Sequence, residues 1–410
     1  MRPQDSFVLL TVIIALVFAA VGMSTPLITL YLEALGADYQ QIALILGTTA
    51  VVSLVSSYAW GRLSDLLQRR RPLIAGGLAG LAVAYFLLSR ITSPGWAWIV
   101  RLGETGSMAA YSTASLALVG DVLAARGGRG QRMGTYRGIG SLAFATGALV
   151  GGTLAERASL AHTFALCALL YLCAALLGLL LHEAGSVPGR QFSPAPVAEA
   201  NPGADLADQG HARSGVPARR LELPPLFLAG VALWTLAWYA QASLWPNYMA
   251  SLGYNKVLIS GLWGLAALIE APAMRLSGQL ADLAGREALL TAGGFGAVLV
   301  VLGYALLGRM APLLVGLQVL RGLVFGGYTA SAMTYAVEAA GESARGRGSG
   351  EFNTAEAVGR LVGLFLAGSL AQSSGFVAMF GACAAAAFLG GLCFWVLRFR
   401  HDRSSGGYLR

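Results

Sequence analysis

The sequence predicts an all-α polytopic membrane protein with twelve transmembrane helices in two pseudo-symmetric six-helix bundles. Three observations carry this expectation. Charged residues make up only 12% of the 410, with a mean hydropathy of +0.65, where a soluble domain carries about 25% charge. Apolar runs of about 20 residues or more recur along the whole chain, each enough to cross about 30 Å of hydrocarbon. A short signature also occurs twice, as GRLSDLLQRRRPL from Gly61 and as GQLADLAGREALL from Gly278. An internal repeat in so apolar a chain implies duplication, with function at the interface of the halves.

The first run, 7–33, is too long for a signal-peptide core and lacks a small-residue cleavage site, so it reads as a retained helix. Runs at 40–61, 72–91, 95–121, 134–155 and 161–182 complete a first bundle within residues 1–183. Residues 184–223 are rich in Pro, Gly, Ala and charge, the composition of a flexible tether. Runs at 225–249, 257–278, 288–308, 312–338, 352–371 and 375–398 make the second bundle, within 224–410, which ends in a short tail. Cys167, Cys173, Cys383 and Cys393 fall in the sixth and twelfth runs without metal-site spacing, so they read as packing residues. No metal and no cofactor is expected.

Basic residues orient the chain. With both termini in the cytoplasm, about 19 of the 28 Lys and Arg fall on the cytoplasmic side, Arg69, Arg70, Arg71 and Arg286 among them. Arg90, Arg157, Lys256 and Arg309 fall on the other face. The net charge of +8 is thereby explained by topology in a cell membrane and by anionic lipid, without nucleic acid.

The duplication extends beyond the signature. Asp65 and Asp282 stand 217 positions apart, as do Asp121 and Glu338. Arg101 followed by Gly106 matches Arg321 followed by Gly326, and GALVGGTLAE from Gly147 mirrors GLFLAGSLAQ from Gly363. On these residues the chain resembles the major facilitator superfamily over essentially its full length. That family's loop signature, Gly-x-Leu-Ala-Asp-Arg-x-Gly-Arg-Arg, is matched by Gly61, Leu63, Asp65, Arg69 and Arg70, and again by Gly278, Asp282, Gly285 and Arg286. The resemblance implies alternating access, a monomer and a conformational latch in these loops. Gly61 would let two helices approach closely, Asp65 would face the positive end of a helix from the other half, and Arg69 would pair with Asp121.

Charges within the spans come next, because each unpaired one costs about 2.5–3.5 kcal/mol on insertion scales. Arg101 and Glu104 share one face of the fourth span, and Glu356 and Arg360 one face of the eleventh. Glu270 lies midway along the eighth span, with Arg275 about a turn and a half deeper, and Arg321 lies in the first half of the tenth. Mutual neutralisation is one reading. The other makes Glu104 and Glu270 proton or substrate-charge sites lining a central cavity, where breaking and remaking a carboxylate–arginine pair couples protonation to movement. In the seventh span Trp234, Trp238, Gln241 and Trp245 form one helical stripe, suited to stacking on a small organic substrate.

The single lysine, Lys256, follows Asn255, so there is no P-loop, and no serine, thiol or zinc catalytic motif occurs. The chain is not expected to be an enzyme. Gly147–Gly152 resembles a motif of drug–proton antiporters, and the stretch around Glu270 and Pro272 is similar to sugar-efflux-type transporters. The resulting expectation is proton-coupled export of a small organic molecule. Two alternatives stand beside it, an uptake permease for a nutrient or metabolite and a non-transporting membrane sensor.

Overall fold

The computed structural model describes residues 3–67, 69–124, 129–181, 222–340 and 344–405, and every regular element among them is helical. The N-terminal half holds α1 (Pro3–Ser24), α2 (Ile28–Ala34), α3 (Tyr39–Leu67), α4 (Arg71–Leu88), α5 (Pro94–Ala124), α6 (Arg129–Arg157) and α7 (Leu160–Gly178). The C-terminal half holds α8 (Pro225–Ser251), α9 (Lys256–Ala284), α10 (Arg286–Leu307), α11 (Ala311–Ala339) and α12 (Arg345–Ser405). The tether expected at 184–223 lies outside the described residues, apart from its last two.

These elements amount to twelve spans. The first expected span is broken into α1 and α2 at Pro26, which has no N–H to continue the helical ladder. The eleventh and twelfth run together as α12, which turns back at Gly375, where φ is +82°, a conformation only glycine adopts freely. Ten helices are long and apolar enough to cross a membrane, with α12 counting once for two spans. The remaining span, α5, falls below that hydropathy because it carries Arg101, Glu104 and a run of Ser, Thr and Gly.

The spans alternate in direction, so α1 and α8 begin on one side, here the linker side, and the Gly375 turn lies on the far side. Within each half the same contact recurs. A Cβ on Gly147 would lie 2.2 Å from the Ala19 carbonyl, and one on Gly363 would lie 2.4 Å from the Leu236 carbonyl. Backbone touches backbone where α6 crosses α1 and where α12 crosses α8, the packing expected of small residues in a membrane. The mirrored glycine motifs thus do one job twice. Leu10, Phe164 and Tyr171 fill the first core, and Phe227, Tyr304, Phe380 and Phe394 the second.

The halves meet through α6 on α9 and α3 on α12, again a symmetric pair of contacts. Toward the far side this interface is closed. A Cβ on Gly152 would lie 2.6 Å from the Lys256 carbonyl, and one on Gly368 would lie 2.3 Å from the Ala43 Cβ. The Asn247 amide donates to Glu33 Oε2 at 2.6 Å and to the Thr29 carbonyl at 3.2 Å. Tyr39 donates through its hydroxyl to Glu33 Oε1 at 2.9 Å and through its backbone N–H to Gln372 at 3.1 Å. Lys256 meets Glu156 through both its backbone N–H and its ammonium. Toward the linker side, by contrast, Leu54, Val55 and Tyr58 on α3 and Leu276, Leu280 and Leu283 on α9 are exposed. The contacts between the halves named above all lie toward the far side. The close helix approach expected at Gly61 is accordingly not made: a Cβ there would meet only Thr113 at 3.8 Å, and one on Gly278 would meet nothing within 4 Å.

Candidate functional site

The fold sets the register of the repeat, and with it the meaning of the buried charges. Gly77 on α4 packs against Tyr111 on α5, and Gly293 on α10 packs against Tyr328 on α11. Tyr111 and Tyr328 are 217 positions apart, the offset that also relates Asp65 to Asp282 and Asp121 to Glu338. The expected match of Arg101 with Arg321 is therefore one turn out of register. The position of Arg101 is held in the second half by Gln318, and that of Glu104 by Arg321. The Arg–Gly spacing misled because it recurs three residues later on the same helical face.

In the first half the charges are paired. Arg101 Nη1 donates to Glu104 Oε2 at 2.7 Å, with the two side chains 14% and 8% exposed. The Tyr85 hydroxyl reaches Ser24 at 2.8 Å and Glu104 Oε1 at 3.5 Å. Helices α1, α4 and α5 thus close a polar cluster in which the carboxylate has a cation and a hydroxyl. This is the arrangement that makes a buried pair tolerable.

In the second half the charges have no such closure. Arg321 is 7% exposed and makes no hydrogen bond or ion pair among the described residues. Its guanidinium instead lies 4.7 Å from the ring centroid of Trp263 and 5.7 Å from that of Trp238. Guanidinium on indole is favourable, by about 2 kcal/mol when desolvated, but it satisfies no N–H. Glu270, half-buried on α9, has no ion-pair partner either, and the arginine whose charge reaches it is Arg321, not Arg275. Gln241 and Gln318 are both wholly buried, and neither atom of either amide has a hydrogen-bond partner. Each such amide costs about 1–3 kcal/mol unless something else meets it. The Tyr304 hydroxyl faces Gln318 and Arg321.

The aromatic stripe divides. Trp234 donates its indole N–H to the Gly293 carbonyl at 3.1 Å and is stacked between Tyr328 and Trp238 at centroid distances of 3.5 and 4.8 Å. Its N–H and both ring faces are thus taken up within the chain, so its place is in the core. Trp238 and Gln241 border the Arg321 cluster. Two residues that the spacing of charges signalled belong beside them. Arg360 lies 4.7 Å from the ring centroid of Tyr239, and Tyr239 stands in the field of both Glu356 and Glu270. The four-residue spacing of Glu356 and Arg360 was the visible sign. Tyr239 and Trp263 carried none, because an isolated aromatic in a transmembrane helix is ordinary.

The loop signature is intact in its second copy. Gly285, at φ +85°, makes the sharp turn from α9 to α10. Arg286 then pairs with Asp282 at 3.1 Å and Glu338 at 3.2 Å. This is the counterpart, 217 positions on, of the expected Arg69–Asp121 pair. The side chains of Asp65 and Asp121 lie outside the described residues, and Arg69 is exposed. The Arg286 cluster is contained within its own half. Among the described residues, no group of three or more His, Cys, Asp and Glu could hold a metal ion.

Comparison with known proteins agrees with this architecture. The family model described as Major Facilitator Superfamily matches residues 10–316 and 307–408. A Deinococcus radiodurans protein named for sugar efflux is 29% identical over 95% of this chain and 97% of its own length. The multidrug resistance protein MdtG of Enterobacter lignolyticus is 26% identical over 88% of this chain and 84% of its own length. The crystal structure of the nucleoside transporter NupG superposes with a TM-score of 0.75 at 13% identity, covering 97% of this chain and 98% of that one, a likeness of fold.

Proposed function

Because the chain belongs to the Major Facilitator Superfamily, we propose that it exports a small organic molecule across the cell membrane in exchange for protons, by alternating access between its two halves. The linker side is cytoplasmic, since the basic residues gather there. Export is supported by the names of the relatives, one given for sugar efflux and one for multidrug resistance. Alternating access is supported by polar contacts that join the halves on the far side and by the open space beside Gly61 and Gly278 on the linker side, as in a carrier open to the cytoplasm.

The observation that carries proton exchange is Glu270, a carboxylate within a span that has no hydrogen-bond or ion-pair partner among the described residues and lies in reach of Arg321. A proton neutralises it, and a substrate group that needs its negative charge competes with that proton. Mutual exclusion of the two ligands is the condition for exchange. Arg101 and Glu104, already paired, hold the first bundle together, and Arg286 with Asp282 and Glu338 acts as half of the cytoplasmic latch.

The experiment uses inverted membrane vesicles with an acidified interior and a pH-sensitive dye. A panel of sugars, lipophilic cations, zwitterions and neutral aromatic compounds is added in turn. Proton release on adding one class, absent from vesicles lacking the protein, supports exchange and names that class. Silence across the panel, with the protein present and folded, counts against proton-coupled export.

A further inference from the structure

Helices α9 and α11 run in the same direction and cross closely. A Cβ on Gly322 would lie 2.7 Å from the Ala266 carbonyl, and one on Gly326 would lie 2.8 Å from the Glu270 carbonyl. Arg321 therefore starts about one turn nearer the far side than Glu270. Its guanidinium extends further the same way, to Trp263, which precedes Glu270 by two turns, about 10 Å along the axis. This is why the two opposite charges act on each other without touching. Around the guanidinium end, on the side away from Glu270, are the wholly buried, unpartnered amides of Gln241 and Gln318. Gln241 lies on α8 between Trp238 and Trp245, and those two indoles flank Arg321 and Trp263 respectively. Gln318 is one turn from Arg321 on the same face.

The first half shows a cluster whose two charges meet, with one guanidinium nitrogen, Arg101 Nε, left without a hydrogen-bond partner. There a carboxylate is supplied from within the chain, 2.7 Å from its arginine. The second half holds a separated cation and anion, neither in an ion pair among the described residues, with amides left over. Resting on the exporter reading above, we infer that this cluster binds a dipolar substrate whose oxyanion meets Arg321, Gln318 and Gln241 and whose ammonium meets Glu270. A carboxylate or a phosphate satisfies the arginine end equally, through charge-assisted hydrogen bonds. The ammonium end competes with the proton on Glu270, which ties substrate release to protonation.

The test is direct binding to the purified full-length protein in detergent, read by thermal stabilisation and tryptophan fluorescence. The probes are phenylalanine and aminomethylbenzoate, which separate their charges by different lengths, and the aminoalkyl phosphonate analogue of phenylalanine. Each is compared with its neutral-ended forms, the amide or ester and the N-acetyl derivative. At least one zwitterion binds, and removing either charge weakens it at least about tenfold. Arg321→Gln abolishes the preference for the oxyanion and Glu270→Gln the preference for the ammonium. Gln318→Glu, nearly isosteric, gives Arg321 a carboxylate one turn away and abolishes the oxyanion preference while leaving the melting temperature intact or higher. Equal binding of neutral and zwitterionic forms overturns the inference, as does an oxyanion preference that survives Gln318→Glu. Zwitterion binding without vesicle exchange would instead sink the exporter reading and leave this site standing. Exchange of neutral compounds alone would do the reverse.

Discussion

Glu104 and Arg321 occupy the same position in the two halves of this molecule, 217 residues apart, with opposite charge. One is in contact with an arginine of its own helix, and the other lies over two indole rings with no ion pair among the described residues. The duplication supplied two copies of a buried polar cluster. On the reading proposed above, one is structural and the other receives a ligand.

Removing the carboxylate from the closed cluster should therefore cost stability. Glu104→Gln leaves the Arg101 guanidinium buried without its anion and is expected to destabilise the protein by about 3 kcal/mol. Arg101→Gln combined with Glu104→Gln recovers most of that loss. Thermal unfolding in detergent measures both, and a double variant no more stable than the single one would show that the pair is not the source of the effect.

The far-side closure depends on Gly152. Its alanine Cβ would meet the Lys256 carbonyl at 2.6 Å and the Ser260 Cβ at 2.7 Å. Gly152→Ala is therefore expected to push α6 from α9 and favour the state open on the far side. In a background without the four native cysteines, a Ser260→Cys reporter, buried in the wild-type arrangement, becomes several-fold more reactive to an impermeant maleimide from outside. Unchanged reactivity would mean that the interface adjusts without opening.

The latch cluster makes a different prediction. Arg286 is 22% exposed while Asp282 and Glu338 are 71% and 54% exposed, so solvent screens the pair. Glu338→Gln should change stability by less than about 1 kcal/mol. Transport velocity should nonetheless fall several-fold, with little change in substrate affinity, because the cluster is needed when the cytoplasmic side closes. A variant with normal velocity would reduce Arg286 to a topology signal.

Much of this was legible beforehand. Twelve spans, the duplication and the charged positions follow from hydropathy and repeat spacing, because a bilayer imposes both long apolar runs and a high cost on each charge. The mirrored glycine motifs at Gly147 and Gly363 were visible for the same reason, since only small residues allow such a crossing. The pairing of Arg101 with Glu104 was readable from three-residue spacing. Residues from different helices were not. Arg321 faces Trp263 because α9 and α11 cross at Gly322 and Gly326, and no spacing along one helix encodes that. Trp234 read as a stacking surface because periodicity gives a face but not what covers it. Tyr328 and Trp238 do.

The proposed exchange turns on Glu270 as the group where proton and substrate exclude one another. The measurement is made in proteoliposomes holding Glu270→Gln, comparing substrate exchange at equal pH with accumulation driven by a pH gradient. Exchange should persist at saturating substrate, though with weakened affinity, while gradient-driven accumulation falls to background. Accumulation that still follows the pH gradient in Glu270→Gln would contradict the account and move the coupling proton to another group, with Glu356 the next to test.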